Sequence, residues 1–246
     1  MKLFCLACEV LARPLYLCAA RSPHIIDIQL MQRGLHNQPA NLRTVLQQAV
    51  DAASEKPYDY IVMGYGLCGQ ATAGLEARRI PLVIPRAHDC ITLFLGSRGE
   101  YTRQFEQFPG TYWYAHDYIE RDDGSGGSLA LGSGLDDGEK VYAEYVEKYG
   151  QDNADYLMEV MGAWKQHYKR AAYIDLGVGD GSAVEAKAKE QAARRGWTFD
   201  RVEGDLVLMR RLLEGDWEKD YLILQPGQKL VMTYNEEIIG CAKDSA

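Results

Sequence analysis

The sequence predicts an α/β fold with mainly parallel sheets flanked by helices, arranged as two Rossmann-like lobes. Short runs rich in β-branched and aromatic residues alternate with helical patterns along the chain of 246 residues. A stretch rich in glycine, serine and aspartate at residues 121–138 interrupts this alternation. We interpret it as a loop or hinge between a lobe formed by residues 1–120 and a second lobe formed by residues 139–246.

The first lobe alternates strands with helices, which is typical of a parallel sheet covered on both faces. Pro14 has to lie in the first turn of its helix or bend it, because proline lacks a backbone N–H. Asn41 and Asp89 precede helical patterns and can cap them, since their side chains accept hydrogen bonds from first-turn amides. The predicted strands cover residues 2–7, 25–30, 58–64, 81–85 and 110–119, and the predicted helices cover residues 9–21, 42–54 and 91–108.

The second lobe repeats the alternation after a long helical stretch at residues 139–168. Residues 172–182 imitate the first motif of Rossmann-like S-adenosylmethionine methyltransferases, in which a strand and an acid precede a glycine-rich turn. Too little chain follows for the remaining strands of that fold, so we interpret the segment as a strand, a turn and a helix. Strands are predicted at residues 171–176, 199–203 and 221–225, and helices at residues 182–195 and 205–213.

Charge and hydropathy exclude several classes of partner. The net charge is −8 and the sequence has no basic cluster, so a nucleic acid is not an expected partner. No apolar stretch has the length of a membrane span, and Glu9 and Arg13 interrupt the apolar N-terminal stretch before it could act as a signal peptide. We therefore expect a cytoplasmic protein, in which the six cysteines serve as buried thiols, metal ligands or a nucleophile.

Cysteine and histidine residues follow the ends of three predicted strands. Cys8 follows the first strand, Cys68 follows the strand at residues 58–64, and His88 and Cys90 follow the strand at residues 81–85. Ligands bind outside the carboxyl ends of parallel strands, so we expect these four residues to converge. They could ligate zinc, or the cysteines alone could hold an iron–sulfur cluster with one iron open.

Cys90 and His88 are the predicted catalytic pair. If Asp89 caps the following helix, Cys90 lies in its first turn, where unpaired amides and the helix dipole should lower the pKa of the thiol. Cys5 forms a Cys-x-x-Cys pair with Cys8, but residues three apart on a strand face opposite sides, and whether Cys5 joins the site stays open.

Polar residues around the same motifs could bind substrate. Arg86 and Arg98 could clamp a carboxylate or phosphate of a small molecule, with Ser97 and Glu76 nearby. The alternative is that these arginines form ion pairs with Asp89 or Glu76.

Two motifs carry a resemblance to a known family. The segments GYGLCG, at residues 64–69, and IPRAHDCITLFLGSR, at residues 84–98, resemble the family of the domain of unknown function 1638. The resemblance extends to GTYWY, YIDLG and the Pro226–Gly227 pair. It implies a part in methyl or one-carbon metabolism, because members of that family are often associated with corrinoid-dependent methyltransferase systems.

These observations predict a metal-binding protein of methyl or one-carbon transfer that acts on a small anionic or thiol substrate. Whether it is an enzyme stays open, with a metal-dependent methyltransferase or a related lyase as the options. The alternative is a non-catalytic accessory protein that binds metal or a corrinoid and docks on a corrinoid protein or a methyltransferase. A metal-free protein with a reactive Cys90 is a third interpretation. The sequence leaves the oligomeric state open and is compatible with a homo-oligomer.

Overall fold

The computed structural model describes residues 1–121, 146–147, 150–151 and 168–243. Apart from Arg121, the predicted hinge lies outside the described residues, as does most of the long helix predicted at residues 139–168. The chain forms two compact units: residues 1–101 together with the described residues from 204 onward, and residues 102–203. The sequence placed everything after residue 138 in one lobe, whereas the last strands belong to the same unit as the first four.

The described residues contain ten strands, seven α-helices and two short 3₁₀ helices, Glu9–Leu11 and Arg33–Asn37. The strands are β1 (Lys2–Cys8), β2 (Ile25–Met31), β3 (Tyr60–Gly64), β4 (Leu82–Pro85), β5 (Thr111–Ala115), β6 (Arg170–Asp175), β7 (Thr198–Glu203), β8 (Tyr221–Leu224), β9 (Gln228–Met232) and β10 (Ile239–Lys243). The helices are α1 (Ala12–Arg21), α2 (Pro39–Ser54), α3 (Cys90–Leu95), α4 (Arg98–Gln107), α5 (His116–Glu120), α6 (Ser182–Arg195) and α7 (Val207–Glu214).

The first unit is built on a five-stranded sheet in the order β2-β1-β3-β4-β8. The first four strands are parallel, which confirms the predicted mainly parallel α/β architecture. Every residue of β1 after Lys2 is buried, although successive side chains point to opposite faces. Such a run is typical of a parallel strand covered on both faces. Because the chain adds β2 on one side of β1 and β3 on the other, the strand order reverses between β1 and β3.

Helices begin and end close to the predicted positions in this unit, with two corrections. Pro14 lies in the first turn of α1, as expected. The helix predicted to be capped by Asn41 instead begins at Pro39, a residue whose fixed φ suits a first helical turn. The helix predicted at residues 91–108 is two helices, because Gly96 adopts a left-handed backbone with φ of 69° and ends α3.

The C-terminal strands return to the first sheet. β8 pairs antiparallel with β4 and satisfies the backbone groups along its outer edge. β9 and β10 form an antiparallel hairpin that the sequence did not predict. The amide of Gly74 donates to the carbonyl of Leu230 at 2.7 Å, so this hairpin also anchors the chain that follows Cys68.

The second unit contains a three-stranded parallel sheet in the order β5-β6-β7. The strand and helix predicted around residues 172–182 correspond to β6 and α6, joined by the glycine-rich turn. The core of the second unit consists mainly of tyrosine and alanine side chains, because the small residues of α6 allow this helix to approach the large tyrosine rings closely. The buried cluster contains Tyr112, Tyr114, Ala171, Tyr173, Val184, Ala188 and Ala192. None of the helices within the described parts of the chain is long and apolar enough to cross a membrane.

Candidate functional site

Two loops at the carboxyl edge of the first sheet lie in direct contact. The amide of Leu67, after β3, donates to the carbonyl of Ala87 at 2.8 Å, and the amide of Cys68 donates to the carbonyl of His88 at 2.8 Å. Gly66 makes this approach possible, because a Cβ atom there would lie 2.8 Å from the amide nitrogen of Asp89. The loops after β3 and β4 are therefore fixed together, as their position at neighbouring strand ends predicts.

Three cysteines lie at or after strand ends on this edge, and we call Cys8, Cys68 and Cys90 the cysteine cluster. Cys8 is the last residue of β1 and is 3% exposed, whereas the other two are partly buried. Burial raises the pKa of the Cys68 and Cys90 thiols, and the negative charges of Asp89 and of the other thiols raise it further. The parallel pairing of β1 with β3 and of β3 with β4 places these cysteines at one edge of the sheet, around the point where strand order reverses.

Cys90 begins α3, and Asp89 caps this helix as predicted. The Oδ1 atom of Asp89 accepts hydrogen bonds from the amides of Ile91 at 2.9 Å and Thr92 at 3.4 Å. The predicted low pKa of Cys90 is wrong. Burial raises the pKa of this thiol well above its ordinary value, and the Asp89 carboxylate raises it further. A helix of six residues has a weak dipole, and the Asp89 side chain already occupies the first-turn amides.

Asp89 and His88 face an aromatic side chain from α4. The hydroxyl of Tyr101 donates to Oδ2 of Asp89 at 3.5 Å, and the ring of His88 stacks on the Tyr101 ring with centroids 5.4 Å apart. Burial raises the pKa of the Asp89 carboxyl, although the helix amides and His88 oppose this shift. The site therefore has an acidic group beside its thiols that is held in place by its own helix.

The backbone around Cys68 is strained. Cys68 has φ of 47°, and Gly69 and Gln70 follow with φ of 62° and 69°. A left-handed backbone costs a non-glycine residue roughly 1–2 kcal/mol. Strain of this kind is concentrated at ligand sites, where the surrounding structure has to maintain it. The position of the Cys68 side chain is therefore held at a measurable cost in stability.

The side chains are not arranged as a ready metal centre. Across the described ranges of the chain, no group of three or more histidine, cysteine, aspartate or glutamate side chains is placed so that it could hold a metal ion.

The other three cysteines lie outside the cysteine cluster. Cys5 is fully buried within β1, and burial raises the pKa of its thiol to about 12. Cys18 is buried in α1, whereas Cys241 is exposed in β10.

The two arginines expected to bind substrate instead contact the C-terminal part of the chain. Nη1 of Arg86 lies 2.9 Å from Oε2 of Glu237 and donates to the carbonyl of Ile239 at 2.6 Å. Nε of Arg98 lies 3.2 Å from Oδ1 of Asp220. Ion pairing was the alternative expectation, but the partners differ from those proposed, since connecting segments distant in sequence supply them: Asp220 precedes β8, and Glu237 lies between β9 and β10.

The other two residues expected at the substrate also have structural partners. The hydroxyl of Ser97 accepts a hydrogen bond from the amide of Glu100 at 3.2 Å and so caps α4. Oε1 of Glu76 lies 2.6 Å from Nη1 of Arg78, and its second oxygen lies 4.0 Å from Nζ of Lys229. The structure thus brings the cysteine cluster and His88 to one edge, while these polar residues tie the surrounding chain together.

Sequence reasoning missed two tyrosines of this site. Tyr65 lies between the glycines of the GYG segment and is 1% exposed. Cys8 and Cys68 are among the groups that raise the pKa of its hydroxyl, after burial. The only signal in the sequence was its place directly after a buried strand. Tyr101 gave no signal, because its role depends on how α4 packs beside His88.

A family model described as a protein of unknown function (DUF1638) matches residues 30–213. The chain belongs to this family. The DUF1638 match includes Cys68, His88 and Cys90 and begins after Cys8. No curated protein and no solved structure matches the chain significantly.

Proposed function

We propose that the cysteine cluster binds a soft metal, as a zinc ion or as an iron–sulfur cluster, and that the protein acts in methyl or one-carbon transfer on a small thiol or anionic substrate. The observation that carries this proposal is the joining of the loops after β3 and β4 beside the end of β1. Thiols from three separate strand ends are thereby placed at the position where α/β proteins bind ligands.

The strand order of the first unit supports a ligand site at this place. The order β2-β1-β3-β4 is that of doubly wound α/β folds, in which the cofactor lies outside the point of reversal. We infer from it that the first unit is a Rossmann-like lobe. In this arrangement Cys8 and Cys68 follow the two strands on either side of the reversal.

The chemistry of the donors fits a soft cation. Thiolates are the preferred protein ligands of zinc and of iron–sulfur clusters, and His88 adds an imidazole to the same edge. Metal coordination requires the sulfur atoms to reorient, since they do not form a preformed group. Each cysteine can do so by rotation about a single side-chain torsion between staggered positions.

The reaction we propose is transfer of a methyl group to sulfur. A metal would hold the substrate thiol as its thiolate and keep it nucleophilic near neutral pH. A bond forms between the sulfur and the methyl carbon while the bond between that carbon and the methyl donor breaks, and the electron pair stays with the donor. The methyl donor class is a methylated corrinoid, as the family resemblance implies.

A second candidate is a non-catalytic partner protein that carries metal or a corrinoid for a methyltransferase. The ion pairs of Arg86 and Arg98 favour it, because these guanidinium groups hold Glu237 and Asp220 rather than a substrate. A closed site with four protein ligands would support this candidate, whereas a position open to exchange supports an enzyme.

The test is elemental analysis and an ultraviolet–visible spectrum of protein purified without oxygen. The variants are Cys68→Ala and Cys90→Ala, with Cys5→Ala as a buried control and Cys241→Ala as an exposed control. We expect near-stoichiometric zinc, or iron with broad visible absorbance, in the wild type and both controls. Both site variants should lose the metal while they retain the far-ultraviolet circular dichroism of the wild type.

Three results would contradict the proposal. Wild-type protein without metal, after purification in medium supplemented with zinc and iron, would remove the coordination hypothesis. Full metal content in both site variants would place the metal elsewhere. Loss of metal in the Cys5→Ala control with an unchanged fold would show that the ligand set is different from the cysteine cluster.

A further inference from the structure

The strand β2 leaves one edge of the first sheet open. Within the described residues it pairs only with β1, in a continuous register of seven residues that has no bulge. It contains no proline, and its one charged residue is Asp27. Edge strands are commonly protected by prolines, bulges or several charges, because a long and regular edge is a template for another strand. β2 is therefore suited to pairing with a further strand.

The backbone of β2 shows which of its groups face the open edge. The amide of Ile25 donates to the carbonyl of Met1 at 3.1 Å, on the side of β1. In a parallel ladder the N–H and C=O of one residue point to the same neighbouring strand, and those of the next residue point the opposite way. Ile26, Ile28 and Leu30 therefore present their backbone groups to the open edge. A second strand can pair with these residues without disturbing the bonds to β1.

The side chains of β2 have the same polarity in both directions from Ile28. On each side of this residue a polar residue is followed by two apolar ones. The polar residues, Asp27 and Gln29, are exposed on one face of the strand. Ile26, Ile28 and Leu30 are partly buried on the other face. A symmetric dimer requires such an arrangement, because its two-fold axis brings the same surface of both copies together.

A single antiparallel register pairs the whole of β2 with its own copy. The two-fold axis then passes between the two Ile28 residues, which face each other, and Ile26 faces Leu30 of the second copy. These are the residues whose backbone groups point outward, so each facing pair can form two hydrogen bonds. The apolar side chains of the same pairs meet on the partly buried face.

This register also matches the polar side chains. Asp27 lies opposite Gln29 of the second copy, whose amide can donate to the Asp27 carboxylate. The contacts of Asp27 with the Tyr58 hydroxyl, at 2.7 Å, and with Nζ of Lys2, at 3.9 Å, both involve Oδ2. The amide can therefore reach Oδ1. If the axis moved by one residue to Asp27, the two Asp27 carboxylates would lie directly opposite each other, which is destabilising.

We propose that β2 is a dimerisation surface, on which β2 of a second copy of this chain pairs antiparallel about a two-fold axis at Ile28. The first sheets of the two copies then form one continuous sheet, and neither copy keeps an open edge at β2. The partner is a second copy rather than an unrelated strand, because β2 complements its own sequence in both charge and polarity. This inference does not depend on the proposed metal binding.

Sedimentation velocity over a range of protein concentrations measures the dimerisation. Gln29 is exposed, so its charge can be changed without disturbing the core. Gln29→Glu places a carboxylate opposite Asp27 at two symmetric positions and should weaken the dimer roughly tenfold, whereas Gln29→Lys should strengthen it by a similar factor. Gln48→Glu and Gln48→Lys make the same charge changes at an exposed position of α2 and should leave the dissociation constant unchanged.

Hydrogen exchange of individual amides locates the interface. The amides of Ile26, Ile28 and Leu30 should exchange more slowly as the protein concentration rises through the dissociation constant, because dimerisation supplies their acceptors. The amides of Asp27 and Gln29 point to β1 and should be protected at every concentration. This alternation distinguishes pairing at β2 from association through any other surface.

The inference is overturned if the wild type stays monomeric at roughly 100 µM, since a weaker association would not be a specific interface. A dimer whose dissociation constant is the same for Gln29→Glu and Gln29→Lys would place the contact on another surface. Protection of the Ile26, Ile28 and Leu30 amides in the monomer would show that another segment of the same chain covers the edge, and it would also exclude the dimer proposed.

Discussion

Replacement of Gly66 by alanine should disrupt the junction on which the site depends. A Cβ atom at this position would lie 2.7 Å from the carbonyl oxygen of Ala87 and 2.8 Å from the amide nitrogen of Asp89. Both are backbone atoms and cannot move aside as the end of a flexible side chain can. Non-bonded contacts are most favourable at about 3.5–4.0 Å, so the loop after β4 has to shift away from the loop after β3.

The magnitude follows from the contacts that this shift disturbs. Forced overpacking costs about 1–3 kcal/mol. The hydrogen bonds from Leu67 and Cys68 to the opposite loop, each 2.8 Å long, contribute roughly 0.5–1.5 kcal/mol apiece. Alanine also restricts the unfolded chain, which returns about 0.4–1 kcal/mol because the φ of Gly66 is not left-handed. We expect a net loss of about 3 kcal/mol in the free energy of unfolding, near the middle of the range of about 1–5 kcal/mol that these contributions span.

Urea unfolding followed by circular dichroism measures this effect. With a slope of about 2 kcal/mol per M, the midpoint should fall by roughly 1.5 M. Gly99→Ala is the matched control, since its Cβ would meet only the hydroxyl of Ser97, at 3.6 Å, and it should leave the midpoint equal or higher. Gly66→Ala should also lose metal. A variant as stable as wild type, with full metal content, would refute the argument that close approach at Gly66 builds the site.

Substitutions at three further positions and one labelling experiment test other contacts. Arg86→Met should lower the free energy of unfolding by about 1.5–3 kcal/mol in a urea titration, because it removes a largely buried charge from two backbone carbonyls. Asp89→Ala should cost about 0.5–2 kcal/mol, and Asp89→Asn should cost less because an amide oxygen still caps α3. Cys68→Gly should stabilise the metal-free protein by about 1 kcal/mol relative to Cys68→Ala, since glycine relieves the left-handed backbone. Iodoacetamide should modify the exposed Cys241 at pH 8 in the folded protein. Cys5 should react only after unfolding, because burial raises the pKa of its thiol to about 12. Mass spectrometry of the digested protein identifies which of the two cysteines carries the label.

Local patterns in the sequence were enough to predict most strands and helices of the first unit. β1 and β3 are continuous apolar runs. In the second unit, α6 was predicted with the bounds that the structure has. The capping role of Asp89 was also visible, because a cap is a contact between residues two or three positions apart. The end of α2 was predicted correctly and its beginning was not, since Pro39 can start a helix without a capping side chain.

The candidate site was predictable in part for a topological reason. Once the strands are parallel neighbours, their carboxyl ends share one edge, so Cys8, Cys68 and Cys90 had to approach one another. Their chemistry could not be deduced in the same way. The pKa of Cys90 depends on burial and on the charge of Asp89 and the other thiols, which are properties of the packed structure.

The sequence by itself therefore determined most strands and helices, their alternation along the chain, and the edge of the first sheet at which the cysteines lie. These features follow from the spacing of apolar residues and from contacts between residues that are close in the chain. Only the tertiary structure decided that β8 completes the first sheet and that Glu237 and Asp220 engage Arg86 and Arg98. It also decided that Tyr65 is buried with a hydroxyl that has no hydrogen-bond partner among the described residues. These features join residues far apart in the chain, and no local pattern records which distant partner a side chain will meet.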